Sequence, residues 1–206
     1  PDFFKVPDFH TADANYRFKT KKNGVFKIYA YYNAGSLGLR NPSLDSLGLW
    51  NAFQLNNQNL FTNVSFRQFL GNGWKLNLAG SISYNKDHIV SQVQNQQYQI
   101  VPQTQIPVID QTSFTTRATQ WMFQLRAVAE KRFGSINTLR LGAEVWNNQD
   151  RNHFQNTTGV FPSLVKDRNT AAFAESDLYI TNDLAFRLGL RIEYSSLLNK
   201  VNIAPR

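Results

Sequence analysis

The side chains able to do chemistry are few and widely spaced. Three histidines, His10, His88 and His153, sit in separate polar stretches that read as loops. A metal site needs ligands that converge, so scattered surface histidines are the simpler reading. There is no cysteine, so neither a disulfide framework nor a thiolate metal site can form. The acids gather once: Glu175 and Asp177 stand at alternate positions, and Arg187, Arg191 and Glu193 follow at matching parity. Two carboxylates on one strand face could act as an acid–base pair. Cross-strand ion pairs facing water explain the same residues without invoking a reaction. No phosphate-binding glycine loop, zinc-protease helix motif or nucleophile elbow is present. The expectation is a protein that is not an enzyme, with no catalytic residue, no metal ligand and no cofactor.

Recognition chemistry is better represented. The stretch from Asp87 to Gln105 contains Gln92, Gln94, Asn95, Gln96, Gln97, Gln99, Gln103 and Gln105 around Tyr98. Amides beside an aromatic ring can hydrogen-bond to and stack on a sugar or peptide. A low-complexity loop without a ligand has the same composition. Trp50, Tyr98, Trp146 and Asn147 are the ligand-binding candidates. Glu175, Asp177, Arg187, Arg191 and Glu193 are the candidates for lining a wet interior.

The elements that would position these residues follow from alternation. Leu184, Phe186, Leu188, Leu190, Ile192 and Tyr194 are all apolar or aromatic, while Ala185, Arg187, Gly189, Arg191, Glu193 and Ser195 fall between them. A strand separates these sets onto two faces, whereas a helix mixes them. Trp74 to Asn85 and Leu139 to Trp146 repeat the pattern. Weaker copies cover Asn15 to Thr20, Phe26 to Tyr32, Leu60 to Arg67, Trp121 to Glu130, and Ala174 to Thr181, which makes about eight antiparallel strands. Short turns rich in Asn, Asp and Gly alternate with long polar connections. The short ones are Lys21–Gly24, Leu70–Gly73, Phe133–Asn137 and Asn182-Asp183; the long ones are Ala34–Gln58, Asp87–Arg117 and Asn148–Asn169. In an up-and-down sheet this puts short turns on one rim and long loops on the other, as in bacterial outer-membrane barrels.

The 206 residues carry 22 Lys and Arg against 14 Asp and Glu, a formal charge of +8. The charges are scattered singly, which argues for a solvated basic surface and against a nucleic-acid partner. Mean hydropathy is −0.41 although the chain holds 16 Phe, 8 Tyr and 4 Trp. No apolar run reaches the roughly 18 residues of a membrane-spanning helix. The opening Pro1-Asp2-Phe3-Phe4-Lys5 does not read as a signal peptide. A polar average with many aromatic residues suits a transmembrane barrel, where only alternate strand residues meet lipid. A soluble β-sandwich or lipocalin-like barrel also alternates, but its apolar face is covered by a core. Rows of Arg, Glu, Asp and Lys on the polar face weigh against that reading. So do Trp74 after a turn, and Tyr84 and Tyr194 at the other strand ends, where interface girdles lie.

Phe173-Ala174-Glu175-Ser176-Asp177-Leu178-Tyr179-Ile180-Thr181-Asn182, then Leu188-Gly189-Leu190-Arg191-Ile192-Glu193-Tyr194-Ser195, then Asn202-Ile203-Ala204-Pro205-Arg206 resemble the barrel of TonB-dependent outer-membrane receptors of the Bacteroidota type. Gly38-Leu39-Arg40-Asn41-Pro42, Asn56-Asn57-Gln58-Asn59-Leu60 and Gly73-Trp74-Lys75-Leu76 are similar to that family as well. The resemblance spans nearly the whole chain and rests on barrel motifs. It implies a barrel of about 22 strands around a plug. It also implies import of a nutrient (a sugar, peptide or metal chelate) driven by a TonB-type energy-coupling complex. The implied partners are outer-membrane lipid, the rest of the barrel, its plug and a possible surface lipoprotein.

Neither a plug nor a coupling box is visible. Residues 1–206 are therefore expected to be part of one outer-membrane β-barrel domain, with the plug and remaining strands absent. The alternative is a self-contained small outer-membrane barrel with a structural or adhesive role; a soluble ligand-binding sheet is the third reading. Pro1 to Asp13 reads as the tail of an extracellular loop, and Ala204-Pro205-Arg206 as the start of a missing ninth strand. The sheet is then expected not to close, with the first and eighth strands unpaired to each other.

Overall fold

Alternating apolar and polar residues give each segment two unlike faces, and the chain satisfies its backbone by pairing every strand with the next. The computed structural model describes residues 2–42, 48–102, 113–134, 136–181 and 184–205. Among these, nine strands form one antiparallel meander: β1 (Asp2–Lys19), β2 (Val25–Pro42), β3 (Trp50–Gly71), β4 (Trp74–Gln94), β5 (Phe114–Phe133), β6 (Asn137–Asn156), β7 (Gly159–Tyr179), β8 (Ala185–Ser195) and β9 (Lys200–Pro205). No ladder joins β1 to β8 or β9 among the described residues, so the sheet is open, with β1 and β9 at its edges.

Short turns fall where asparagine and glycine permit positive φ. Asn23 is at φ 58°, and Asn72 at φ 48° lies between Gly71 and Gly73, both also positive. The Thr20 hydroxyl accepts the Gly24 amide at 2.9 Å and closes the first turn. Asn182 and Asp183 of the β7–β8 turn and Ser135 of the β5–β6 turn lie outside the described residues.

The strands run well beyond the alternating segments, which corrects several expectations. Most of Ala34–Gln58 is strand, paired in register from Ala34↔Gln58 to Pro42↔Trp50. Asp87–Arg117 contributes the end of β4 and the start of β5. Asn148–Asn169 is a hairpin whose strands pair as far as Asn156↔Gly159. There the Asn156 side chain accepts the amides of Thr158 and Gly159 at 2.9 and 3.1 Å. Asp2–Asp13 belongs to β1 instead of a loop, with register shifts between Phe3 and Asp8. The ninth strand is present as β9. His10, His88 and His153 are strand residues, on β1, β4 and β6. On β3, β4 and β6, at Asn56–Gln58, Asn85–His88 and Asn147–His153, both faces are polar just above the apolar band, so the two-residue signal disappears while backbone pairing continues.

Burial is inverted relative to a globular domain. Buried apolar residues among those described are Ala52, Val93, Ala171 and Phe173. Leu184, Phe186, Leu188, Leu190, Ile192 and Tyr194 are all exposed, Leu188 by 60%, whereas Arg191 between them is only 9% exposed. The same apolar face carries Phe18 and Tyr16 on β1, Tyr32 on β2, Leu60 on β3, Leu78 and Ile82 on β4, Trp121, Phe123 and Leu125 on β5, and Leu141 on β6.

This apolar band runs obliquely to the hydrogen-bond rows. Its upper edge on β2 to β5 is Tyr32, Leu60, Tyr84 and Trp121, which share one cross-strand row. Trp121 pairs onward with Gln149, and Gln149 with Lys166, so that row is polar on β6 and β7. On β8 the band ends at Tyr194, in the lower row that runs through Thr170, Val145, Leu125, Gly80, Val64 and Ile28. Strands tilted against a horizontal apolar slab produce this slope.

Candidate functional site

The polar face is organised as rows of opposite charge. In the lower row, Lys75 on β4 meets Glu130 on β5 at 2.7 Å. Arg140 on β6 contacts Glu130 at 3.2 Å and Asp177 on β7 at 2.7 Å. Arg187 on β8 completes the row at 2.6 Å from Asp177. Each acid lies between two cations, so five adjacent strands are tied by alternating charges. Thr138, opposite Asp177, adds a hydroxyl donor at 3.2 Å.

The next charged row spans β5 to β9. Arg126 stands 3.9 Å from Glu144, and Glu144 also receives Arg191. Arg191 reaches it over β7 because the intervening position, Ala171, is small: Ala171 pairs with Glu144 on one side and Glu193 on the other. Arg191 also donates to Glu193 at 2.9 Å, and Glu193 accepts Asn202 of β9 at 3.3 Å. Rings floor this row. Phe173 lies across Gly142, where any Cβ would collide with it, and is covered by the Arg126 guanidinium at 5.4 Å. Trp146 lies under Arg191 at 5.9 Å. Higher on this face, Asn57 binds Asn85 at 3.0 Å, and Asn85 binds Asp87 at 2.7 Å. Asn148 donates to Asp150 at 2.6 Å, while the side-chain amide oxygens of Asn148 and Asn152 have no partner among the described residues.

The expected interior set is therefore drawn together: Glu175, Asp177, Arg187, Arg191 and Glu193 share the polar face of β7 and β8. Glu130, Glu144, Lys75, Arg126 and Arg140 complete the rows and were not singled out from sequence. Their alternation with apolar neighbours was visible, but their pairing needs the register. Glu130, Glu144, Asp177 and Glu193 each have a cationic partner in these rows, so the arrangement braces a wall.

The four ligand candidates divide. Trp50 and Tyr98 come together, edge to face, at 5.8 Å. Arg40 stacks on Tyr98 at 4.3 Å and on Phe4 at 4.5 Å, and donates to Gln94 at 2.9 Å. Trp50 thus joins a rim cluster packed by its own neighbours. Gln92 and Gln94 lie in β4 instead of a loop, and Gln103 and Gln105 lie outside the described residues. Trp146 and Asn147 do not act together. They are successive residues in the middle of β6, not at the entry to a loop, and so point to opposite faces. Asn147 lies on the outward side, where Arg168 donates to it at 2.8 Å. His10 and His88 border one polar groove of about 490 Å³.

No protein-family model matches the sequence, and no curated protein matches it. Solved structures do. The outer membrane transporter YddB from Escherichia coli superimposes with a TM-score of 0.65 at 10% identity, over 98% of this chain and 29% of its own. The ferric yersiniabactin uptake receptor FyuA from Yersinia pestis gives a TM-score of 0.61 at 11% identity, over 90% of this chain and 27% of its own. FpvA of P. aeruginosa, bound to pyoverdines, gives 0.55 at 14% identity, over 96% and 32%. At such identities the likeness is one of fold: an all-β, antiparallel, up-and-down sheet of the outer-membrane barrel kind. The chain spans about a third or less of the length of these proteins.

Proposed function

We propose that the chain is part of the wall of a TonB-dependent outer-membrane receptor of the Bacteroidota type, which imports a sugar, peptide or metal chelate and catalyses no reaction. The observation that carries this reading is the inversion of burial: the apolar face is exposed along an oblique band while the opposite face is ion-paired strand by strand. Such a sheet needs hydrocarbon on one side and water on the other. The fold shared with outer-membrane transport proteins supports it. In this reading residues 1–206 form one stretch of a barrel domain. Their partners are outer-membrane lipid, the remaining strands, a plug, the TonB-type energy-coupling complex and a surface lipoprotein. Glu175, Asp177, Arg187, Arg191 and Glu193 line the channel. Ligand contacts come from the loop-side rim around Trp50 and Tyr98 and from Trp146 on the upper channel wall; Asn147 faces away and plays no part.

The test is uptake. Cells lacking the protein should lose energy-dependent accumulation of a scarce sugar, peptide or metal chelate and regain it on complementation. Uptake that persists after the inner-membrane proton gradient is collapsed would refute the energy-coupled reading. A small closed barrel with an adhesive role requires a closing ladder, and none joins β1 to β8 or β9 among the described residues.

A further inference from the structure

On β4 to β7 charge is sorted between the two faces above the apolar band: on the polar face stand Asp87, Asp150 and Asp167; on the outward face stand Lys86, Arg117, Arg151, Lys166 and Arg168. All five cations are exposed and have no acidic partner among the described residues. On the polar face Lys75, Arg126, Arg140, Arg187 and Arg191 are tied into ion pairs, whereas these five outward cations are not.

The belt overlies two grooves. One, of about 790 Å³, has Ile82, Trp121, Phe123 and Tyr194 on its membrane side and Lys166 and Arg168 on its upper side. A second, of about 970 Å³, continues below it, shares Tyr194 and is almost wholly apolar, opened by small residues such as Gly80, Ala127 and Ala143. Asp167 reaches the edge of the upper groove, but its oxygens are taken by Asn169 at 2.7 Å, Ser196 at 3.2 Å and the Leu197 amide at 3.1 Å. Arg168 is steadied through Nε on Asn147, and its terminal nitrogens have no partner among the described residues. An apolar trough leading up to two cations is complementary to an amphipathic anion.

We infer that this outward face of β4 to β8 holds a phosphate-bearing lipid of the loop-side leaflet, with its acyl chains over Ile82, Phe123 and the small-residue trough and its phosphate between Lys166 and Arg168. The inference rests on the membrane reading above. Guanidinium and ammonium groups at a membrane boundary attract anionic headgroups, and the aromatic residues beneath them mark the boundary itself.

The experiment uses the protein purified from membranes in a phosphate-free detergent, titrated with lipid A bearing both phosphates and with the same lipid stripped of them. The wild type should bind the phosphorylated lipid at least about tenfold more tightly. Lys166→Gln with Arg168→Gln should remove that preference and leave the affinity for the stripped lipid unchanged. Lys75→Gln with Arg187→Gln, an equal charge change on the other face, should not remove it. Equal binding of the two lipids by the wild type overturns the site even if the variant fails to fold. So does full displacement of the phosphorylated lipid by about 10 mM inorganic phosphate, an excess that screens weak surface attraction only in part, because the site would then be one for free anions. Leu188→Arg separates the premise: unaffected membrane insertion would sink the membrane reading, whereas impaired insertion with no lipid preference sinks the lipid site alone.

Discussion

Replacing Leu188 by arginine tests the facing of the whole sheet. Leu188 is 60% exposed, lies midway along the apolar run of β8, and has Ser176 as its partner on β7. At about 3.3 Å per residue, the ends of that run at Leu184 and Tyr194 are about 13 and 20 Å away along the strand. An arginine head cannot reach water at either end without thinning the bilayer or bending the sheet. The expected cost is about 2–4 kcal/mol in a membrane, or roughly thirty- to several-hundred-fold in the folding equilibrium. Gly189→Arg is the control. It projects from the polar face directly opposite Glu175, so its expected cost is below about 1 kcal/mol. Denaturant titrations of the full protein in lipid vesicles, read by heat-modifiable migration, give both values. If Leu188→Arg folds as well as the wild type, or if both variants lose equally, the assignment of lipid and water sides is wrong.

Arg140→Ala removes the cation shared by Glu130 and Asp177 and should cost about 1–2 kcal/mol in the same titration, between the ranges for exposed and buried pairs. A loss below the resolution of the assay would mean the row contributes no bracing. Gly142→Ala should displace the Phe173 ring from beneath Arg126; an unchanged Phe173 environment by NMR would contradict the contact. Deleting Asn95 to Gln105 removes Tyr98, and unchanged uptake would take that loop out of ligand recognition. Asp167, above the band, feels desolvation that raises its pKa, but hydrogen bonds from Asn169, the Leu197 amide, Ser196 and Ser195 outweigh it and lower the pKa overall. A lowered folded-state pKa means its contribution is complete above the usual carboxylate range and is lost as pH falls through the folded value. Acidification should therefore loosen the Ser195–Leu198 turn in the wild type, as read by its amide signals, and have no such effect in Asp167→Ala.

The sheet and its two faces were legible wherever lipid and water impose opposite demands on neighbouring residues, as in Leu184 to Ser195 and Trp74 to Asn85. Legibility ended at the upper edge of the band. Asn147 to His153 is polar on both faces, so nothing in its residue types distinguishes a paired strand from a loop, although its backbone is laddered throughout. The charged residues of the polar face were readable as a set, but not as pairs. Arg191 reaches Glu144 only because Ala171 leaves room above β7, a contact that depends on three strands in one register. The same limit applies to Trp146 and Asn147, both candidates for ligand contact: the pleat sends them to opposite faces. The grouping of Trp50 with Tyr98 and Arg40 depended on a loop folding back onto β2 and β3, which no periodicity encodes.

The slope of the apolar band against the hydrogen-bond rows also constrains how such a wall can grow. Each added hairpin must sit slightly displaced along its own axis, like staves set on a screw thread, for the hydrocarbon belt to stay level. After a full turn the first and last staves meet with the sum of those offsets, so circumference and pitch are fixed together. Adding or removing one hairpin alters that sum and shifts charged rows such as Lys75–Glu130–Arg140 toward the belt on one side of the seam. Exchanging the upper ends of the hairpins, beyond Tyr32, Tyr84 and Trp121, leaves the thread untouched. Variation in what is recognised at the rim can therefore proceed without any renegotiation of the wall beneath it.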